Sequence, residues 1–154
     1  MAHSFEPHDH TNCQAAVLRT VVETCEKNGL RLTPVRRRVL EILLETHQAQ
    51  SAYDILDTLK QEGFGAAPPV AYRALDFLQT HGFAHKIETR NAYVACTAPG
   101  EHHDPAFLIC RKCNTVAETE AAGHPAMPGF VTEQVVQEVE GICPNCLSET
   151  SQYL

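Results

Sequence analysis

Two pairs of cysteines, each with two residues between its members, constrain this chain more than any other feature. Cys110 and Cys113 enclose Arg-Lys, and Cys143 and Cys146 enclose Pro-Asn. Two residues between thiolates allow a tight turn to direct both sulfurs at one ion, and two such turns complete the tetrahedral four-thiolate shell of zinc. Because a closed shell leaves no position for a substrate, the pattern predicts a structural zinc ion that joins two distant segments.

Disulfides or a redox-active CxxC motif are the alternative interpretations of these cysteines. The chain has seven cysteines, an odd number, and its first residues contain no apolar run typical of a signal peptide. Both observations favour a reducing environment, so we expect a cytoplasmic protein whose thiols bind metal. A redox motif would need only one pair and would normally open a helix after a buried strand.

Charge is divided unevenly along the 154 residues, which are enough for one ordinary domain or two small ones. Residues 13–92 carry ten Lys and Arg against nine Asp and Glu, whereas residues 93–154 carry two against eight. The net charge of -7 therefore does not exclude nucleic acid as a partner of the first half. No segment approaches the ~20 apolar residues that span a bilayer, so we expect no membrane partner.

Four helices are predicted in the first half. Apolar residues recur at helical spacing in four segments, which are 17–25, 39–44, 55–59 and 74–78. Thr33 followed by proline predicts the start of the second helix. Ser51 and Asp54 resemble a capping box at the start of the third helix, and Pro68 begins the fourth.

The period then changes from helical to two. Phe83, His85 and Ile87 alternate with other residues along one predicted strand, residues 89–91 form a turn, and residues 92–95 return as a second strand. Helices that close with a two-stranded hairpin are typical of a winged helix-turn-helix, in which the later helix enters the major groove of DNA.

Candidate DNA-binding residues lie on three of the predicted helices. Tyr72 and Arg73 stand near the start of the fourth helix, where Arg73 could pair with a guanine edge or a phosphate. Tyr53 and the Arg36–Arg38 run could contact the DNA backbone. Two alternatives to DNA binding are open. The arginine run, which starts at Arg36, could simply form a solvated helix face, and the whole domain could bind protein.

Several segments, taken in order, resemble the ferric uptake regulator (Fur) superfamily. They are RLTPVRRRVLEIL, SAYDILDTL, PPVAYRALDFLQTHGFAHKIE, NAYVAC, HHDPAFLICRKC and CPNC. The combination of SAYDIL, YRALDFL, FAHKIE and NAYVAC is similar to its zinc uptake regulator (Zur) branch. The resemblance implies an α+β protein, with an N-terminal winged helix-turn-helix followed by a small α/β dimerisation domain stapled by zinc.

The same resemblance implies a function. It indicates a homodimeric repressor of zinc-uptake genes, not an enzyme, with Zn²⁺ as corepressor and an inverted repeat in double-stranded DNA as operator. We expect the domains to be 1–12 as a flexible histidine-containing arm, 13–96 as the winged-helix domain, 97–105 as a hinge linker and 106–154 as the dimerisation and metal-binding domain. The arm has no counterpart in the family pattern. Its residues His3, His8 and His10, followed by Cys13, could form an auxiliary metal site, or the arm could be a disordered tail.

A regulatory metal site is implied as well, which gives two zinc ions per chain. The family's ligands fall on His85 in the wing strand, Cys96 at the end of the returning strand, His103 in the following loop and Glu118 after the first cysteine pair. His85 and Cys96 lie near opposite ends of one predicted hairpin, on strands that can pair. A mixed N, S and O shell suits zinc, whereas iron-responding relatives lean toward N and O shells. His102 is an alternative to His103.

Two departures from the family pattern have structural consequences. The usual Pro-Pro-Thr-Val-Tyr-Arg reads Pro-Pro-Val-Ala-Tyr-Arg here, which removes a hydroxyl that could cap the fourth helix. The segment 119–129, where relatives place a long helix, contains two prolines and two glycines, so we expect at most one helical turn.

Three other functions are open to a chain of this kind. An iron, manganese or peroxide sensor would share the fold but favour a different metal shell. A thiol redox switch would use the CxxC pairs without zinc. A zinc hydrolase would need an open metal site, and neither H-E-x-x-H nor H-x-E paired with P-C-x-x-C occurs in the sequence.

Overall fold

The computed structural model describes residues 5, 9–65, 67–100 and 104–151. These residues form two compact units. The first unit comprises the described residues from 9 to 100, and the second comprises residues 104–151 together with Phe5. None of the helices in the described ranges combines the length and apolar character needed to cross a membrane.

The first unit consists of four helices followed by a hairpin. In chain order these are α1 (His10–Asn28), α2 (Pro34–Leu44), α3 (Ala52–Gln61), α4 (Pro68–Thr80), β1 (Ala84–Ile87) and β2 (Ala92–Ala95). The two strands pair antiparallel, with Ala84 opposite Ala95 and Ile87 opposite Ala92. This is the winged helix-turn-helix arrangement that the sequence predicts.

Two helix starts depend on the predicted capping residues. The Thr33 side chain accepts a hydrogen bond from the Arg36 backbone N–H at the start of α2. At the start of α3, the Ser51 side chain accepts from the Asp54 N–H while the Asp54 carboxylate accepts from the Ser51 N–H. By contrast, Ala67 precedes α4 and provides no side-chain hydrogen bond. The threonine of the family pattern corresponds to Val70, which lies inside the first turn of α4 and not at its N-cap.

Helix α1 begins earlier than the sequence predicts. The Asp9 side chain accepts a hydrogen bond from the Asn12 backbone N–H, so the helix starts at His10. It includes residues 10–12, which the sequence pattern places in the flexible arm. The apolar spacing starts only at Val17, and the polar first turns therefore gave no helical signal although Asp9 is a good N-cap. The helix ends at Gly29, whose φ of 67° is the left-handed conformation that glycine adopts without strain.

One apolar cluster forms the core of the first unit and draws on all four helices and the hairpin. Its fully buried members, with 0% of their surface exposed, include Val21, Val39, Leu40, Ile55, Leu59, Leu78 and Phe83. Burial of each such side chain contributes about 1.5–3 kcal/mol relative to exposure. The core therefore fixes one face of α4 and leaves the opposite face to solvent.

The capping box gives a direct test of helix α3. Replacing Ser51 by Ala removes the acceptor for the Asp54 N–H, and we expect a loss of about 1 kcal/mol in the free energy of unfolding. Urea denaturation followed by circular dichroism measures this loss. Thr20→Ala is the control, because its hydroxyl only donates to the Ala16 carbonyl within exposed α1 and should cost far less. Equal losses for the two variants would contradict the role of the cap.

The second unit is a three-stranded sheet with one helix. Its elements are β3 (Pro105–Cys110), β4 (Val116–Glu120), β5 (Gln137–Gly141) and α5 (Pro144–Ser151). The strand order is β4-β3-β5, with β4 antiparallel and β5 parallel to β3. Strand β3 begins at Pro105, the last residue of the predicted linker.

The connection from β4 to β5 contains neither helix nor strand over residues 121–136. Its prolines and glycines account for this, as the sequence predicts. Of the four valines between 131 and 139, only Val139 lies within the following strand, β5.

Candidate metal centres and nucleic-acid interface

The parallel pairing of β3 and β5 brings the two cysteine pairs together. Cys110 is the last residue of β3, and it lies opposite Gly141, the last residue of β5. The carboxyl ends of parallel strands meet at one edge of a sheet. The turn after β3 therefore places Cys113 near the start of α5, where Cys143 and Cys146 lie.

The four sulfur atoms have the spacing of a zinc shell. All four Sγ atoms lie within 4.8 Å of one another, and Cys113 Sγ is 3.8 Å from Cys143 Sγ. Tetrahedral zinc with Zn–S bonds of about 2.3 Å requires sulfurs about 3.8 Å apart. Cys110, Cys143 and Cys146 are buried. These residues therefore fit one zinc ion, and none of the seven cysteines, all of which lie in the described ranges, forms a disulfide.

Backbone N–H groups of the two turns favour the thiolate form of this cluster. The Cys143 N–H donates to Cys110 Sγ at 3.3 Å, and the Cys146 N–H donates to Cys143 Sγ at 3.4 Å. Burial raises the pKa of the Cys110 thiol, but the backbone N–H groups of Cys113, Cys143 and Lys112 outweigh it and lower the pKa to about 6. The neighbouring Cys143 sulfur and burial raise the pKa of Cys146 to about 12. Four thiols this close to one another can therefore all ionise only if a cation offsets the repulsion between the thiolates.

A histidine and a cysteine, two residue types that can bind zinc, lie at the open end of the hairpin. His85 is in β1, and Cys96 follows β2, where its backbone N–H donates to the Phe83 carbonyl at 2.9 Å. A ring nitrogen of His85 and Cys96 Sγ lie within 4.8 Å of each other. Cys96 is only 1% exposed. Antiparallel pairing therefore brings together residues from opposite ends of the hairpin sequence, and an imidazole and a thiolate at this distance could share one ion.

Glu118 belongs to the second unit and lies on β4, opposite Phe107 of β3. Its exposed fraction is 5%, and it is the one buried acidic residue among those the structure describes. A buried carboxylate is costly unless it is hydrogen-bonded, paired with a charge or bound to a metal. His102 and His103 lie outside the described residues, as do His3 and His8 of the arm, so the complete regulatory ligand set stays a prediction.

The solvent-facing side of α4 carries the residues predicted to read DNA. Tyr72 is 50% exposed, and Arg73 beside it is also exposed. Asp76 and Gln79 lie with them around a cavity of about 250 Å³. No sequence motif marks these last two residues, although their spacing from Tyr72 and Arg73 places them on the same helix face. Tyr53 at the start of α3 is 75% exposed.

The arginine run of α2 is largely engaged within the first unit. The Arg36 guanidinium lies 4.0 Å from the centroid of the Phe77 ring and donates to the Arg31 carbonyl at 2.6 Å. Arg38 forms an ion pair with Glu62 at 2.7 Å, and this carboxylate raises the pKa of Arg38. These contacts give Arg36 a packing role, while its predicted contact with DNA stays untested.

Known proteins resemble this chain over most of its length. The model of the ferric uptake regulator family matches residues 27–126. The zinc uptake regulation protein of Escherichia coli (strain K12) is 39% identical over 139 residues, which are 85% of this chain and 81% of that protein.

Two solved structures of zinc uptake regulators are similar to this chain as well. A zinc uptake regulator complexed with zinc and DNA is 36% identical, with a TM-score of 0.83 over 90% of this chain and 97% of that chain. The crystal structure of holo XcZur is also 36% identical, with a TM-score of 0.75 over 86% of this chain and 98% of that chain.

Proposed function

This chain belongs to the ferric uptake regulator family, and on that premise we propose that it is a zinc-responsive DNA-binding regulator. The observation that carries the proposal is the imidazole–thiolate pair of His85 and Cys96 on the hairpin of a winged helix. The family and the relatives described above are transcription regulators, which supports a regulatory and not a catalytic role. We further propose that the chain represses zinc-uptake genes in the cytoplasm when zinc is plentiful.

Four residues are proposed to hold the regulatory ion. His85 and Cys96 supply nitrogen and sulfur from the hairpin, His103 supplies nitrogen from the linker, and Glu118 supplies oxygen from β4. Zinc, when bound, supplies a cation that all four donors share. A mixed shell containing a thiolate favours zinc over ferrous iron. Together with the four-cysteine site, this gives two zinc ions per chain.

We propose that zinc controls DNA binding because its ligands belong to different parts of the chain. His85 and Cys96 are in the first unit, while Glu118 is in the second. By holding one ion in common, they restrict the rotation of the winged helix about the linker. DNA then does not have to order the winged helix itself, and couplings of this kind are typically about 1–3 kcal/mol.

The DNA-bound form is proposed to be a homodimer on an inverted repeat. Two winged helices related by a two-fold axis would meet successive half-sites about 34 Å apart. The second unit exposes apolar side chains that a second copy could cover, and they are Met127, Phe130, Val131, Val136, Val139 and Leu147. So many exposed apolar side chains in one small unit favour a surface that a partner covers.

Metal-dependent DNA binding tests the proposed function. A duplex obtained from a random pool by in vitro selection with the zinc-loaded protein serves as the probe. We expect two zinc ions per chain by elemental analysis, and tight binding that requires zinc and is not restored by Fe²⁺ or Mn²⁺. Equal or better binding with Fe²⁺ or Mn²⁺ would favour the iron, manganese or peroxide sensor instead. A chain without zinc whose disulfides form reversibly would favour the redox switch.

Arg73 gives a prediction for the DNA interface. Replacing it by Ala removes an exposed guanidinium from the solvent-facing side of α4, and we expect DNA affinity to fall by about 1–3 kcal/mol if it contacts a base. Fluorescence anisotropy at several salt concentrations measures the loss. Arg111→Ala is the matched control, since Arg111 is exposed in the second unit. Equal losses for both variants would show only a general charge effect.

A further inference from the structure

Phe5 contacts the four-cysteine site although it is far from it in the sequence. Phe5 is half-buried and packs against the cluster formed by Cys110, Cys143 and Cys146. Its backbone carbonyl oxygen accepts a hydrogen bond from Asn145 Nδ2 at 3.3 Å. Asn145 lies between Cys143 and Cys146, so this hydrogen bond links Phe5 directly to the turn that carries the second cysteine pair.

Phe5 also contributes to an apolar cavity of about 260 Å³ next to the cysteines. The other residues that line the cavity are Leu108, Ile109, Cys110, Val139, Gly141, Ile142, Cys143 and Pro144. Apart from the two cysteines, none of them carries an ionisable side chain. An aromatic residue at the wall of such a cavity makes the approach of water, or of a charged ligand, to the sulfur atoms unfavourable.

We propose that Phe5 acts as a lid on the four-cysteine site and slows the loss of its zinc ion. Zinc leaves such a site when a proton or a competing ligand reaches one of the sulfurs, since the bound form requires thiolates. Phe5 packs against the cysteine cluster and lines one cavity together with Cys110 and Cys143. The hydrogen bond from Asn145 to its carbonyl oxygen holds it there. The proposal depends only on the four-cysteine site and not on the regulatory one.

A lid of this kind has a use in a zinc sensor, and in this respect the inference rests on the proposed function. The regulatory ion has to exchange as the zinc concentration changes, whereas the structural ion has to stay bound throughout. The rate at which zinc exchanges must therefore differ between the two sites, and this difference matters more than a difference in zinc affinity. Because Phe5 packs against the four-cysteine cluster, it slows exchange at that site.

Zinc release from the full-length, zinc-loaded protein tests the lid. Excess 4-(2-pyridylazo)resorcinol gives the release rate, and alkylation by iodoacetamide with peptide mass spectrometry assigns it to individual cysteines. For Phe5→Ala we expect release and alkylation at Cys110 and Cys143 to be about tenfold faster, which corresponds to about 1.4 kcal/mol. Asn145→Ala should act in the same direction by a smaller factor, because an exposed neutral hydrogen bond contributes less.

His124→Ala is the control, since His124 is an exposed ring in the same unit and is not among the residues packed against the cysteines. Its release rate should equal that of the unmodified protein. An unchanged rate for Phe5→Ala, or an equal acceleration by His124→Ala, would overturn the proposal. The alkylation of Cys96 is followed in the same experiment, and faster modification there as well would point to general destabilisation instead of a lid. Metal-dependent DNA binding is measured separately, so a failed lid leaves the proposed function untouched.

Discussion

Replacing Cys143 by Ser is expected to unfold the second unit while leaving the first one folded. The second unit has a small sheet, and the buried cluster beside it consists mainly of the cysteines themselves. Structural zinc contributes about 10–16 kcal/mol of apparent binding energy in small domains, which is comparable to the whole stability of a protein domain. Loss of one of four thiolates should therefore remove both the ion and the order of the unit.

Hydrogen exchange followed by mass spectrometry distinguishes the two units. Amides of β3, β4 and β5 should lose protection in Cys143→Ser, whereas those of α2 and α4 should keep it, because the first unit has its own apolar core. Elemental analysis should show the loss of at least one zinc ion, because the proposed regulatory ligand Glu118 also lies in the unit that unfolds. Cys13→Ser is the matched control, since Cys13 lies on α1 outside the cysteine cluster. Retention of zinc and of sheet protection in Cys143→Ser would contradict the structural role of the site.

The local signals of the sequence were sufficient for the first unit. Apolar spacing, the Thr33 cap and the Ser51–Asp54 box determine where α2 and α3 lie, because these signals act between residues close in the chain. The change of period after α4 likewise predicts the hairpin. The exception is the start of α1, where a polar first turn concealed a helix that depends on Asp9 alone.

Features that depend on residues distant in the sequence were harder to predict. The cysteine spacing predicts one four-thiolate site, but only the parallel register of β3 and β5 explains how the two pairs meet. The Arg36–Arg38 run gives the same pattern whether it binds DNA or pairs internally, and its partners Phe77 and Glu62 lie on other elements or beyond their ends. The regulatory set came from the family resemblance, since a lone histidine or cysteine has no spacing signal.

Removing either hairpin ligand is expected to abolish the zinc dependence of DNA binding without removing the structural zinc ion. In His85→Ala and Cys96→Ser, the proposed regulatory shell loses a nitrogen or a sulfur donor. DNA affinity in excess zinc should then fall to the zinc-free level, a loss of about 5- to 150-fold for a coupling of about 1–3 kcal/mol. Elemental analysis should give one zinc ion per chain. Fluorescence anisotropy with the selected duplex, with zinc and with a chelator, measures the coupling.

The control for this prediction is His124→Ala, because His124 is exposed in the second unit and does not belong to the ligand set. Cys96 is buried, so Cys96→Ser places a hydroxyl in an apolar environment and could weaken the hairpin itself. His85 is only half-buried, and agreement between the two variants therefore separates loss of metal from loss of fold. If both variants bound DNA as tightly as the unmodified protein and still required zinc, the sensing ion would have to lie elsewhere. If both lost binding while retaining two zinc ions, the hairpin would contact DNA without holding metal.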